Sequence, residues 1–170
     1  MLPSEALNRE FVVPDAAEAP RDNEIFESRD ITAHGVLVGN IGLLLPRREV
    51  SELVNDLAVC QLPNTSSWFD GVASVRGNMI PVFDMHLLFD IAVESKRRRM
   101  IIVGEDETAV AFWVDEMPRM VALTAEDSMT SVPPIPPLIR DHSRKYYLKD
   151  GQIWVDWDVK AFFTTLGNLL

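Results

Sequence analysis

The sequence is poor in residues that cross-link or ligate. Its 170 residues include one cysteine, Cys60, and three histidines. A single thiol excludes an internal disulfide, and His34, His86 and His142 lie too far apart along the chain to form a compact zinc motif. Basic residues are also few: 16 Lys and Arg stand against 26 Asp and Glu, for a formal net charge of -10. That balance argues against a nucleic-acid backbone or an anionic membrane surface as partner, because a local basic patch would have to overcome long-range repulsion. No stretch reaches the roughly 18 uninterrupted apolar residues of a membrane helix, and no apolar N-terminal run follows a basic leader. A glycine-rich phosphate loop is missing too, since Gly39, Gly42, Gly71 and Gly77 stand apart. The simplest expectation is a cytoplasmic chain without metal or other cofactor.

What is present is the composition of a globular protein, 47% hydrophobic and 25% charged. The length is enough to bury one or two cores. Residues 1–30 hold eight acidic side chains against three arginines, half of the net charge, and their apolar residues follow no sustained period. They read as a flexible acidic extension ahead of a domain spanning residues 31–170.

From Ile31 onward, short apolar runs alternate with turns. Gly39-Asn40 predicts a hairpin between Gly35–Val38 and Ile41–Leu45. After Pro46 the text reads two ways: a helix with Val50, Leu53 and Leu57 on one face, or a turn followed by a strand. Val72–Val75 and Met79–Phe83 predict an antiparallel pair about Arg76-Gly77-Asn78, with Pro81 placing the second strand at an edge or a bulge. Asp84 is placed to cap a short helix through Phe89. Arg99–Val103 and Thr108–Val114 form another hairpin, and both faces of its second arm are apolar, as in a strand packed on two sides. Thr124–Asp127 resembles a capped turn. The proline-rich run 132–137 predicts an ordered loop or an exposed extended segment. Lys149-Asp150-Gly151 marks a further turn, after which Asp156 or Asp158 caps a closing helix carrying Phe162, Phe163 and Leu166. Many short strands with helices only at the connections indicate a mainly β chain of small barrels rather than a doubly wound sheet.

Residues that could carry chemistry all have simpler readings. Cys60, within Leu57–Leu62, reads as an inert buried thiol rather than a nucleophile. Asp84, Asp115, Asp156 and Asp158 follow or sit within apolar runs, where capping and turn formation account for them. The cluster Lys96-Arg97-Arg98-Arg99 is either an acidic-partner site or a solvated hairpin edge. Trp68, Trp113, Trp154 and Trp157 either fill cores or anchor a protein interface.

The segment from Leu62-Pro63-Asn64 through Trp68 and Gly71, followed by Val75-Arg76-Gly77, Ile80-Pro81-Val82 and Asp84, resembles the signature of CheW-like chemotaxis coupling proteins. Gly42–Pro46 with Val50 and Glu52-Leu53 supports the likeness on one side, and Val110–Asp115 with Val121–Thr124 on the other. The resemblance covers roughly residues 33–165, and its central segment is the most specific part. It implies two intertwined five-stranded SH3-like barrels with short connecting helices and a C-terminal helix. It further implies an apolar contact between subdomains, no catalytic centre and no cofactor. The implied role is a cytoplasmic adaptor, recruited to membrane-associated arrays without inserting into the membrane. It would join the tip of a methyl-accepting chemoreceptor to the regulatory domain of a CheA-like histidine kinase, in chemotaxis or in type IV pilus-mediated motility.

Within that resemblance Arg76 matches the family's functional arginine, and Glu52, or the nearby Glu49, its acidic companion. Val75, Gly77, Ile80 and Val82 are expected to shape or contribute to the interface, and Gly71 to serve a structural turn. Two other classes stand beside this reading. One is a protein-binding or assembly module of the same fold without receptor–kinase coupling; the other is an enzyme on a small all-β framework, which would need a deep polar pocket.

Overall fold

The computed structural model describes residues 30–46, 50–93 and 98–170. All but the last residue of the expected acidic extension falls outside them, as do Glu49, Lys96 and Arg97. The first strands, β1 (Ile31–Val38) and β2 (Ile41–Leu45), form the expected hairpin, with Val38 opposite Ile41. Its first central residue, Gly39, has φ +58°, a value at which a side chain would be strained. Next come β3 (Val50–Val54), the two-residue β4 (Val59–Cys60), β5 (Phe69–Val75) and β6 (Asn78–Phe83). Helix α1 (Met85–Phe89) leads to β7 (Arg99–Val103), β8 (Val110–Val114) and β9 (Arg119–Leu123). The chain closes with α2 (Pro137–Asp141), β10 (Ser143–Lys149), β11 (Gln152–Trp157) and α3 (Val159–Gly167).

These strands make two sheets. The first has the order β10-β11-β2-β1-β9, the second β3-β7-β8-β6-β5-β4. The first is built from both ends of the described chain and the second from the segment between, so the protein is mainly β with two interleaved subdomains. The expected five strands occur in the first sheet. The second has six, because Val59 and Cys60 add a short edge rung opposite Ala73 and Val72. An isolated bridge between Ser128 and Tyr147, with Met129 N–H donating to Tyr146 O across 2.9 Å, links the segment after β9 to β10 at the opposite edge of the first sheet.

The largest core lies between the sheets. Val36, Leu43 and Leu45 meet Ile101, Phe112 and Val114 there, and α1, α2 and α3 contribute Met85, Ile139 and the pair Phe162 and Phe163. Each sheet also encloses a smaller cluster, Ile80, Val82, Met100 and Ala111 in the second and Ala33, Leu44, Val121 and Trp154 in the first. This explains the two apolar faces of β8: Ala111 and Trp113 face the inner cluster of their own sheet, while Phe112 and Val114 face the intersheet core. In the first sheet the Trp154 ring lies across Gly35 and Gly42, where a Cβ would collide with it.

Local chemistry sets the helix ends. Asp84 caps α1 by accepting from His86 N at 3.0 Å and Leu87 N at 3.2 Å. Asp158 caps α3 by accepting from Ala161 N at 2.9 Å, while Asp156 stays within β11. The Thr124 and Asp127 side chains form a reciprocal capping box on a single 3-10 turn.

Of the two readings after Pro46, the one with a strand holds: Val50–Val54 form β3, whose pairing with β7 satisfies its backbone. Three expectations change. Pro81 is not on an edge: β6 lies between β5 and β8, and its parallel ladder to β8 begins at Val82, one residue past the proline. The proline run is the expected loop over residues 132–136, with Ile135 buried, but its last residue, Pro137, opens α2 at a position where its missing N–H costs nothing. Cys60 is exposed on the short edge strand β4 rather than buried.

Candidate functional site

The site is built on the β5–β6 hairpin. Val75 pairs with Asn78, so the turn is the two residues Arg76 and Gly77, at φ +51° and +84°. Positive φ at both central positions matches the right-handed twist of the flanking strands. Glycine adopts it freely, and no atom lies within 4 Å of where a Gly77 Cβ would sit. An arginine in this conformation carries a local cost of about 1 kcal/mol.

Arg76 Nη2 is 2.7 Å from Glu52 Oε2 on β3. Since β3 is an edge strand and the hairpin belongs to the opposite half of the same sheet, the ion pair joins strands that are not neighbours in it. The Arg76 side chain is 74% exposed and that of Glu52 40%. Solvent screens such a pair, so its contribution to stability is below about 1 kcal/mol. Its effect is to fix the guanidinium in place on an accessible surface.

Under this pair runs a groove of about 450 Å³, floored by Ile80 and Ile102 and rimmed by Glu52, Arg76, Glu105 and Asp106. A second groove, about 570 Å³, lies between the β7–β8 turn and α3 and is walled by Val103, Val110, Val159 and Phe163. Gly104 and Glu105 border both. The first rim is mostly acidic and the second groove mostly apolar.

The remaining expected residues divide. Val75 is half-buried and Gly77 exposed beside Arg76. Ile80 and Val82 are buried in the inner cluster of the second sheet, so they shape the hairpin from beneath, and of the two only Ile80 reaches the groove, as part of its floor. Gly71 is not in a turn. It sits within β5 at φ +138°, beside a register shift, where a Cβ would collide with the backbone oxygen of Cys60. The tryptophans mostly serve packing. Trp154 and Trp157 are buried, Trp68 stacks on Phe83 at 6.1 Å, and Trp113 Nε1 donates to Asp70 across 2.9 Å.

One group was not foreseen. His86, excluded from a zinc motif by its spacing, is completely buried on α1. Its Nε2 lies 2.9 Å from Asp115 Oδ1 and its Nδ1 3.7 Å from Asp84 Oδ1. Asp115 Oδ2 accepts from Gly39 N at 2.6 Å, and Asp115 N–H donates to Leu37 O at 2.9 Å. Asp84 Oδ2 holds Arg98 Nη1 at 2.5 Å. The guanidinium of Arg98 also lies 5.2 Å from the centre of the Trp113 ring. Nothing in the spacing of His86 and Asp115, 29 residues apart, announces this contact. Among the described residues, no three His, Cys, Asp or Glu side chains gather as metal ligands.

Comparison with known proteins fits this geometry to a family. The model of the CheW-like domain matches residues 34–166. The chain belongs to the CheW-like family. CheW-like domains are non-catalytic adaptor modules of chemotaxis and pilus signalling, and CheW-like proteins in general couple receptors to CheA kinases. The chain is 22% identical over 115 residues to the chemotaxis protein CheW of Helicobacter pylori, covering 66% of this chain and 67% of the relative. It is 28% identical over 122 residues to protein PilI of Pseudomonas aeruginosa, covering 71% and 67%. The crystal structure of the scaffolding protein TtCheW from Thermoanaerobacter tengcongensis superposes with a TM-score of 0.61 at 21% identity, covering 80% of this chain and 92% of that one. That likeness shows a shared CheW-like fold. Among the described residues no helix is long and apolar enough to cross a membrane.

Proposed function

We propose that this chain is a cytoplasmic adaptor that couples the tip of a methyl-accepting chemoreceptor to a CheA-like histidine kinase, in chemotaxis or type IV pilus-mediated motility. Its likeness to PilI supports the pilus setting, and recruitment to membrane-associated arrays follows from binding the receptor. In this reading each sheet closes into an SH3-like barrel. The Ser128–Tyr147 bridge supports closure of the first, and the short link from β3 to β4 across residues 55–58 supports closure of the second.

The observation that carries the proposal is the Arg76–Glu52 ion pair, fixed and exposed on a groove rim in a chain of this family. An arginine held in a left-handed turn, for an exposed contact that adds little stability, is better accounted for by recognition than by folding. The receptor helix lies along the apolar groove beside α3, with the Arg76 rim setting its orientation. Val75 and Gly77 border the contact, while Ile80 and Val82 support it from the core. Another surface meets the kinase regulatory domain. Receptor rearrangement then changes kinase activity through relative placement and differential contact free energy. Repeated weak contacts within an array gain effective concentration from their linkage.

The test mixes the purified chain with a chemoreceptor cytoplasmic fragment and a CheA-like kinase from the same genome, and follows assembly by size-exclusion chromatography with light scattering. A ternary complex that needs this chain supports coupling. Association with neither partner at native-like salt overturns it.

A further inference from the structure

We propose that strand β6 and the buried Asp84–His86–Asp115 contacts form a strut that carries displacement from the Arg76 turn into the first sheet. The strut is a physical property of the fold; its use in signalling rests on the adaptor reading above.

Strand β6 starts one residue after the Arg76-Gly77 turn and ends at Phe83, immediately before Asp84. Six extended residues span about 20 Å. The strand is paired on both sides, with β5 along its length and with β8 at Val82 and Phe83, so it is braced against bending. At its far end Asp84 has each carboxylate oxygen engaged: Oδ1 binds the first amides of α1 and Oδ2 binds Arg98. Helix α1 is thereby fixed to the end of β6. His86, in the first turn of that helix, passes the connection to Asp115, which grips Gly39 N–H and Leu37 O in the first sheet.

The intersheet core alone does not give such a connection. Apolar contact is non-directional and tolerates small sliding, whereas a hydrogen bond weakens steeply with misalignment. A buried polar cluster adds little net stability, but a buried donor or acceptor left without its partner is costly, so the cluster penalises every arrangement that separates its members. Here the penalised arrangements are those in which the β1–β2 turn shifts relative to α1. Arg76 and Gly39 are therefore placed at opposite ends of one continuous set of paired backbone and buried polar contacts.

The experiment is a double-mutant cycle on the full chain, read by amide hydrogen exchange. In the otherwise native chain, Arg76→Ala accelerates exchange at the Gly39 amide by about threefold or more. In a His86→Leu background the same change has no effect at Gly39. Should His86→Leu fail to fold, Asp115→Asn, which keeps the side-chain size, provides the same cycle. The Val155 amide, in the first sheet away from the strut, reports global opening. No response at Gly39 to Arg76→Ala, an equal response in both backgrounds, or an equal response at Val155 overturns the strut.

A second measurement addresses its use. Asp115→Asn binds a chemoreceptor cytoplasmic fragment within about twofold of the native chain, while receptor control of kinase activity falls about fivefold. Lost receptor binding or unchanged control overturns the signalling role. A native chain that joins neither receptor nor kinase overturns the adaptor reading alone, because the exchange cycle uses no partner.

Discussion

Trp157 Nε1 donates to the backbone oxygen of Leu44 across 2.9 Å, with both residues buried. This bond ties the strand before the last helix to the second strand of the chain. The same indole packs on Phe162 with ring centres 4.9 Å apart, so one side chain joins β2, β11 and α3. Replacing it by phenylalanine keeps most of the apolar contact but leaves a buried carbonyl without this donor. Trp157→Phe is expected to cost about 1–3 kcal/mol. In urea titrations the midpoint falls while the slope stays constant.

At the opposite extreme, Arg76→Glu leaves stability within about 1 kcal/mol of the native chain, because the pair it disrupts is solvated. Facing Glu52 with a like charge nevertheless disturbs the groove rim. We expect ternary-complex assembly with receptor and kinase to be lost and the thermal midpoint to be nearly unchanged. Pairing it with Glu52→Arg restores the geometry of the rim but reverses its polarity. Assembly by the single variant at native levels would remove Arg76 from the interface.

Gly42→Ala places a methyl group against the Trp154 ring and 2.7 Å from the Ile153 backbone oxygen. Backbone cannot yield as a flexible side chain does, so the expected loss is about 1–3 kcal/mol. Tryptophan fluorescence should shift with it as Trp154 is displaced. A native-like spectrum at native stability would show that β11 moves aside without cost.

Two aspartates near the closing helix have opposite acid responses. The Ala161 amide, aided by the Arg144 guanidinium, holds the Asp158 carboxyl below its ordinary range. A carboxylate with a lowered folded-state pKa stabilises fully above its unfolded value near pH 3.9, and that stabilisation is lost as pH falls through the folded value. Asp158→Asn keeps a capping oxygen without this titration, so the native chain's advantage over it narrows from pH 7 to pH 3. Burial raises Asp156 against the opposing pull of Arg144 and Lys145. Its unfolded form ionises first, so stability falls as pH rises from the unfolded value to the folded one. Asp156→Asn removes that loss and raises the thermal midpoint at pH 7 but not at pH 3. Differential scanning calorimetry at the two pH values checks both signs.

The parts of the fold legible in the sequence are those decided by a few adjacent residues. Gly39-Asn40, Arg76-Gly77 and Asp150-Gly151 each close a hairpin where left-handed backbone is needed, and Asp84 and Asp158 each cap the helix that follows. What was hidden depends on distant neighbours. Cys60 is exposed because its strand is a two-residue rung at a sheet edge, which its apolar context conceals. Pro81 sits in an interior strand because the pairing with β8 starts just beyond it. The position of Glu52 opposite Arg76 came from family resemblance, since no local rule relates residues 24 apart. His86 was hidden for the same reason: its partner Asp115 is brought close only when β8 lies beside the β1–β2 turn.

The interleaving of the two sheets also bears on how the chain emerges from the ribosome. Strand β2 is made early, but its parallel neighbour β11 places Ile153 opposite Ile41, 112 residues later. At usual elongation rates that interval is roughly 5–20 s. Strands β3 to β8, contiguous in sequence, are complete well before β10 and β11 have been made. Synthesis therefore favours closure of the second sheet first, with the β1–β2 hairpin resting its apolar side on it as a provisional surface. The last strands then arrive at a template already formed, and a nascent chain stalled before Ile153 exposes the flank of β2 that β11 would cover.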